Sequence, residues 1–448
     1  MLNEKSIKKI LIILFAFSFV LHRSMPLGPV NAGLADCVIG IVFAVACVTF
    51  VLKRGSAAFS LPPVYITACI CATFLSGAVA SLAGGGKAVL KEEIQIIEVL
   101  CIGWLAVSFL LEKNRVYALL LMRVLIMAAG FEAVAVGLRQ LISDDMFHTG
   151  FFTRNRNTYS MLVMVCAPAA AYYAVHDTLR LLRIGYSLIL FCMFSTVLSA
   201  GALVGGVIGI GAVWALGPER RRYTVCVLIP VVLGIALLSL RTDMRSILAA
   251  SVSGGIEENY LIKNRDSVYL ESKEKYIRTS PQWFAQDTAF RYRRWKYAAD
   301  HARSSVKRLL IGSGPSSFNS ALKPYSAEEG VPNIDTDEVM MFNIGISEPD
   351  TFSAYAVWQV EYGLAGFAVL LVLLAVPAAK GMRKKSRIQS PGPAAGAALL
   401  CLMICNVFHS HMITGMYILA VALIYCAETD FDQPLSVQKN GETEDNGD

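Results

Sequence analysis

Twelve apolar runs, nine before and three after one polar stretch from Arg241 to Asp350, set the limits on what this chain can become. They lie at 7–21, 34–52, 62–83, 88–111, 115–139, 157–175, 184–200, 201–217, 223–240, 352–378, 394–409 and 412–427. Many reach about 18 to 22 residues, which as a helix crosses a ~30 Å hydrocarbon layer. Hydrocarbon offers no partner to a backbone N–H or C=O, so such a segment must pair its own backbone as a helix. Apolar residues make up 55% of the chain and charged residues 17%. A soluble fold would need about a dozen helices apolar on every side, which no water-facing surface permits. The expected class is an all-α polytopic membrane protein. It has about twelve transmembrane helices and one large extracytoplasmic loop between the ninth and tenth.

The organisation follows from those runs. Residues 1–240 hold nine spans, 241–350 the loop, 351–427 three spans and 428–448 a polar tail. Met1 to Leu21 carries Lys5, Lys8 and Lys9 at its start, but His22 to Pro26 offers no small-x-small cleavage site. It therefore reads as a retained first helix. The tail ends in Glu442, Glu444, Asp445 and Asp448, and such a segment stays solvated and disordered. All eleven cysteines fall in the apolar runs and none in the loop. Disulfides and a zinc–cysteine site are not expected, and the thiols read as small core residues.

The basic residues alternate between connections. One side receives Lys53 and Arg54, Lys113 and Arg115, Arg180 and Arg183, Arg220 to Arg222, and Lys380 to Arg387. The other receives Pro26 to Asn31, Gly84 to Gly86, Ser143 to Asn157, the large loop, and His409 to His411. Cytoplasmic loops carry the excess of Lys and Arg, so the first set is cytoplasmic. Both termini are then cytoplasmic, and the protein is a multi-pass protein of the cell membrane with its loop outside. The fourth run carries Lys91, Glu92, Glu93 and Glu98, and its first half is a candidate for lying along the interface. The seventh and eighth runs meet at Ala200 and Gly201 as a tight outer hairpin.

Ionisable residues at membrane depth cost a few kcal/mol unless paired or hydrated. The fifth run carries Arg123, Glu132 and Arg139. Glu132 and Arg139 are seven apart, so they share a helix face near the outer end. That face lines either an aqueous cavity open to the outside or an ion pair with another helix. Arg123 lies deeper, and Glu98 is a candidate partner.

The loop has two halves of opposite charge. From Glu257 to Arg308 there are twelve Lys/Arg against seven Asp/Glu. From Lys323 to Asp350 one Lys faces seven acids, Glu348 and Asp350 the last of them. In the basic half Tyr292, Trp295, Ala299, Ala302, Val306 and Leu309 recur at helical spacing, which predicts one amphipathic helix flanked by Arg291 and Arg294. Gly312 ends it, and Gly312 to Pro315 makes a turn. That turn lacks the Gly-Lys-Ser/Thr ending of a nucleotide loop and follows a helix instead of preceding one. Its position outside the cell also argues against nucleotide and nucleic-acid partners. Arg154, Asn155, Arg156 and Asn157 precede the sixth run. Two guanidiniums at a membrane surface suit a lipid phosphate or diphosphate, or serve as an interfacial anchor. His409 and His411, one residue apart, cannot face the same way on a helix. A metal would need further ligands there, which leaves hydrogen bonding or proton transfer.

These landmarks together resemble the O-antigen ligase/polymerase family of bacterial envelope proteins. Phe151 to Asn157 resembles the family's Gly-x-Phe-x-Asn-x-Asn segment, and Leu198 to Ala202 its Ser-Arg-Gly-Ala segment. Arg291-x-x-x-Trp295 with Gly312-x-Gly314-x-x-x-Phe318 resembles its Arg-x-x-x-Trp and Gly-x-Gly-x-x-x-Phe run. Glu361-x-Gly363-x-x-Gly366 resembles its Glu-x-Gly-x-x-Gly run at the opening of the tenth span. The order agrees over most of the chain. There are two departures: Ala200 stands where the family has arginine, and Phe352 and Ser353 stand where it has a His-Asn pair.

The resemblance implies inverting glycosyl transfer on the outer face, without metal, nucleotide or other cofactor. The donor is a glycan on undecaprenyl diphosphate. Arg291, Arg154, Arg156 and Arg139 are the candidates to hold the leaving diphosphate, with Trp295 and His409 beside the substrate. Asp350 or Glu348 is the candidate base for the acceptor hydroxyl. The function this implies is a polymerase of lipid-linked repeat units in surface polysaccharide synthesis. Membrane lipids, a chain-length regulator and a flippase are its implied partners. A ligase that moves the glycan to a lipid, protein or wall acceptor uses the same chemistry. A transporter or flippase of lipid-linked oligosaccharide would show internal repeats, and none is visible. A non-catalytic assembly protein is the remaining reading.

Overall fold

Twelve long helices stand, among the described residues, where the apolar runs place them. The computed structural model describes residues 4–20, 24–27, 30–52, 60–82, 87–142, 156–197, 199–216, 219–242, 295–315, 317–328, 353–384, 390–408 and 414–431. The first eight helices are α1 (Glu4–Val20), α2 (Leu34–Leu52), α3 (Val64–Leu82), α4 (Lys87–Leu111), α5 (Arg115–Ile142), α6 (Arg156–His176), α7 (Arg180–Thr196) and α8 (Ala200–Leu216). The ninth, α9, runs through Arg220–Tyr223, a π-helical turn at Thr224–Leu228 and Ile229–Thr242. Three short helices follow: α10 over residues 295–303, α11 (Val306–Leu310) and α12 (Phe318–Glu328). The chain closes with α13 (Ala354–Arg383), α14 (Pro391–Phe408) and α15 (Thr414–Glu428). Six of these, α2, α5, α6, α9, α13 and α14, are long and apolar enough to cross a membrane. Shorter apolar stretches lie in α3, α4, α8 and α15. This is the build of a helical membrane protein.

One element was not expected. Strands β1 (Ser24–Leu27) and β2 (Val30–Gly33) pair antiparallel, Ser24 opposite Gly33, in the connection read as a plain loop. The α7–α8 hairpin also turns earlier than expected, because Ser199 caps α8. Its hydroxyl accepts the Ala202 N–H at 3.4 Å and its carbonyl accepts that of Leu203 at 2.9 Å. The fourth run forms one 25-residue helix.

Helix α6 is the axis of the bundle. Every residue from Thr158 to His176 is buried, apart from a half-buried His176, and α5, α7, α8 and α14 surround it. Its alanines (Ala167, Ala169, Ala170, Ala171, Ala174) let those neighbours approach closely. Gly205 and Gly209 of α8 do the same against α14, where an added Cβ would lie 2.7 Å from Cys405 Sγ and 3.0 Å from Cys401 Cβ. The outer surfaces of α2 and α9 carry exposed Val51, Leu52, Val232 and Leu233, side chains suited to hydrocarbon.

The charged pairs gather at one end of the bundle. Lys8 meets Glu112, and Lys380 Nζ lies 2.9 Å from Glu428, whose other oxygen accepts the Tyr65 hydroxyl at 2.5 Å. Arg123 pairs at 2.8 Å with the fully buried Asp177 at the end of α6, which replaces the expected Glu98.

Helix α13 corrects a second expectation. It is not one rod: Gly363 adopts φ 65° and ψ −161°, so a short arm, 354–362, joins a long one, 364–383, at a sharp bend. The long arm alone spans about 30 Å at 1.5 Å per residue, the thickness of the hydrocarbon. The short arm is buried on both sides. Ala354, Tyr355, Trp358 and Tyr362 pack into the bundle core, while Ala356, Val357 and Val360 pack into a second, smaller core with Tyr297, Ala298, Phe318 and Leu322. A Cβ on Gly363 would lie 2.5 Å from the Leu310 carbonyl carbon, and the backbone conformation there is one that side chains disfavour. Gly363→Ala should therefore destabilise the solubilised protein by about 2 kcal/mol or more. A thermal melt in detergent measures this, and Gly40→Ala, with open space around its Cβ, is the neutral control.

Candidate functional site

The second core holds the site. The sequence predicts one continuous amphipathic helix through Tyr292 to Leu309, but the chain breaks at Ser304 and Ser305. Ser305 is extended, and its hydroxyl accepts the Arg308 N–H at 3.1 Å, starting α11 in a new direction. The buried face of α10 is Tyr297, Ala298, His301 and Ala302, rotated from the expected stripe. Val306, expected inside, is exposed. Trp295 is half-buried and touches both cores, so it links the α10 unit to the bundle.

Two of the sequence motifs interlock here through their backbones. The N–H of Ser313 donates to the Val360 carbonyl and that of Gly314 to the Glu361 carbonyl, each at 2.9 Å. Gly312, at φ 83°, lies against the Glu361 carbonyl, where no Cβ would fit. Glu361 is buried, and its carboxylate accepts the Phe318 N–H at 3.2 Å, at the start of α12. Negative charge at a helix N-terminus is favoured there. The Gly-x-Gly-x-x-x-Phe and Glu-x-Gly-x-x-Gly patterns are thus two halves of one joint, and Glu361 serves to fix it.

His301 sits inside this joint. It is 4% exposed, its Nε2 lies 2.7 Å from the Ser313 hydroxyl, and Tyr325 packs edge-on to its ring. Burial first, and then the charge of Arg308, hold its pKa below the ordinary 6.5. Sequence reading passed over both His301 and Ser313. The signal was the i, i+4 pair Tyr297 and His301, on a face that a longer imagined helix had turned outward.

Beside the joint, one end of the bundle collects buried polar side chains. Tyr159 near the start of α6 meets the Thr196 hydroxyl at 2.6 Å, and Thr158, Ser160, Ser195 and Ser199 lie at the neighbouring helix ends. Ser353, which caps α13, donates to the Asn406 carbonyl at 3.2 Å. Gly201 lies against Phe408, the last residue of α14. Glu132 is fully buried farther along α5, whereas Arg139 in its last turn is exposed. Because Glu132 is turned into the core, the two do not line one open face, which was one of the two readings of that pair.

Arg156 is the first residue of α6, at this same end. Arg154, Arg291, Glu348, Asp350 and His409 lie outside the described residues, as does the acidic tail. The structure thus brings Trp295 to the joint, and the ends of α5, α6, α8, α13 and α14 to one end of the bundle.

No protein-family profile matches the chain, and comparison with characterised proteins returns no match.

The lowered pKa of His301 has a sign that can be checked. The unfolded chain binds a proton at His301 more readily than the folded one, so stability falls as pH drops below about 6.5. His301→Gln removes that dependence. Its melting temperature should fall less between pH 7 and pH 5 than that of the wild type, measured in the same detergent.

Proposed function

We propose that this protein is a membrane glycosyltransferase that polymerises undecaprenyl-diphosphate-linked oligosaccharide repeat units on the outer face of the cytoplasmic membrane. In this reading all twelve long helices span the bilayer, both termini are cytoplasmic, and the 241–350 segment is the outer loop. The observation that carries the reading is the joint between 312–318 and 361–366. Two of the four motifs that resemble the O-antigen ligase/polymerase family are separate in sequence, yet they pack as one unit beside the polar end of the bundle. That end also receives Arg156 and Arg139, and α10 begins at Trp295, four positions after Arg291 in the sequence.

The chemistry asks little of cofactors. The acceptor hydroxyl attacks the anomeric carbon as its bond to the diphosphate breaks, and the diphosphate leaves with the electron pair. Arg291, Arg154, Arg156 and Arg139 stabilise that developing charge; guanidinium does so bidentately and stays charged at any physiological pH. A carboxylate of the acidic return, Asp350 or Glu348, takes the hydroxyl proton. Trp295 and His409 complete the substrate contacts.

Purified protein supplied with lipid-linked repeat units in EDTA, without nucleotide, should lengthen the lipid-linked chains. Modification of an added lipid or protein acceptor, without lengthening, would assign a ligase. Neither product would mean that the enzyme reading is wrong. Arg291→Ala should lower product by a hundredfold or more, on the order of the 3 kcal/mol that one transition-state charge contact supplies, with expression unchanged. Unchanged product would remove Arg291 from the site.

A further inference from the structure

The His301–Ser313 pair reveals which way a hydroxyl points. His301 Nδ1 is buried and has no hydrogen-bond partner among the described residues, while Nε2 lies 2.7 Å from Ser313 Oγ. A neutral imidazole carries one N–H and one bare acceptor nitrogen. Leaving a buried N–H without a partner costs the full desolvation of the donor. The proton therefore belongs on Nε2, and the Nε2–H donates to Ser313 Oγ. The pair stays neutral because burial and the charge of Arg308 on α11 both disfavour the imidazolium, while the Tyr325 ring of α12 packs edge-on to His301.

With its oxygen accepting from His301, Ser313 must send its own proton elsewhere. Its backbone N–H and that of Gly314 are already spent on Val360 and Glu361, so the turn is not a phosphate nest, and the hydroxyl is its one outward donor. Ser313 is partly buried, and Arg303, Lys307 and Arg308 stand exposed on the adjoining α10 and α11. A hydroxyl whose proton is left free to donate, in basic surroundings, is matched by a ligand that only accepts.

We propose that Ser313, oriented by His301, is a hydrogen-bond donor to the phosphoryl oxygens of the diphosphate. This deepens the glycosyltransferase reading by adding a ligand to its donor site, and His301 acts only through Ser313 as a positioning residue.

The full-length protein in nanodiscs, titrated with undecaprenyl diphosphate, tests the proposal without turnover. Ser313→Ala should weaken binding about tenfold, the effect of one hydrogen bond to a charged group. His301→Leu should weaken it comparably, whereas His301→Gln, whose amide N–H can still donate to Ser313, should restore most of it. Equal binding by Ser313→Ala and wild type overturns the proposal even if wild type lengthens chains. Tight wild-type binding that Ser313→Ala weakens, without chain lengthening, keeps the site and sinks the catalytic reading. Nitrogen-15 spectra of histidine-labelled protein give a second check, with the His301→Gln variant assigning the signal among six histidines. A proton on Nε2 is expected at neutral pH, and a proton on Nδ1 overturns the proposal.

Discussion

Two glycines, Gly312 and Gly363, let two backbones meet where any side chain would hold them apart, and the unit of α10, α11 and α12 depends on that meeting. Gly363 bends α13, which divides a 30-residue helix into an arm for the bilayer and an arm for the second core. Gly312 lets the turn after α11 lie against that bend, and the carbonyls of Val360 and Glu361 take up the N–H groups of Ser313 and Gly314. The short arm of α13 then carries apolar residues on two faces, one for each core. The joint is a coupling of backbone to backbone, so it sets the position of everything on α10, α11 and α12 to the accuracy of the fold itself. A site assembled from these short helices and a helix bundle needs this kind of fixed contact.

The bundle separates its polar groups by kind. Ion pairs such as Arg123 with Asp177 and Lys380 with Glu428 gather at one end, where the basic connections lie. Hydroxyls and amides such as Thr158, Tyr159, Thr196, Ser199 and Asn406 gather at the other. Formal charges close to hydrocarbon are held in pairs because an uncompensated one is costly. The other end leaves its hydroxyl groups to be satisfied by short local bonds, and it presents helix termini carrying Arg139 and Arg156. In the proposed reaction this is the end that receives a charged lipid headgroup.

The long helices were legible in the sequence because bilayer length and apolar content leave a segment little choice; Leu34–Leu52 was placed to the residue. What was not legible arose from local competition. The apolar spacing from Trp295 to Leu309 looked continuous, but Ser305 found a better use for its hydroxyl as a cap than as a place on a helix face. Gly363 reads as a tolerated helix glycine until its partner, Leu310, is known to pass behind it. For Arg123 the sequence offered Glu98, and the packing of α5 against α6 gives it Asp177 instead. His301 escaped notice because its role depends on Ser313, twelve positions away and across a helix break. Of the candidate residues for the chemistry, Trp295, Arg139 and Arg156 have described positions, and Trp295 alone touches the joint that two of the motifs form.

The most direct measurement of the account is where a lipid diphosphate touches the protein. An undecaprenyl-diphosphate analogue with a photoreactive group on its first sugar can be activated in nanodiscs and its adducts mapped by mass spectrometry. The account predicts adducts within residues 291–318 and around the start of α6, competed away by unlabelled undecaprenyl diphosphate. Adducts confined to the opposite end of the bundle, near Glu112, Asp177 and Glu428, would contradict it.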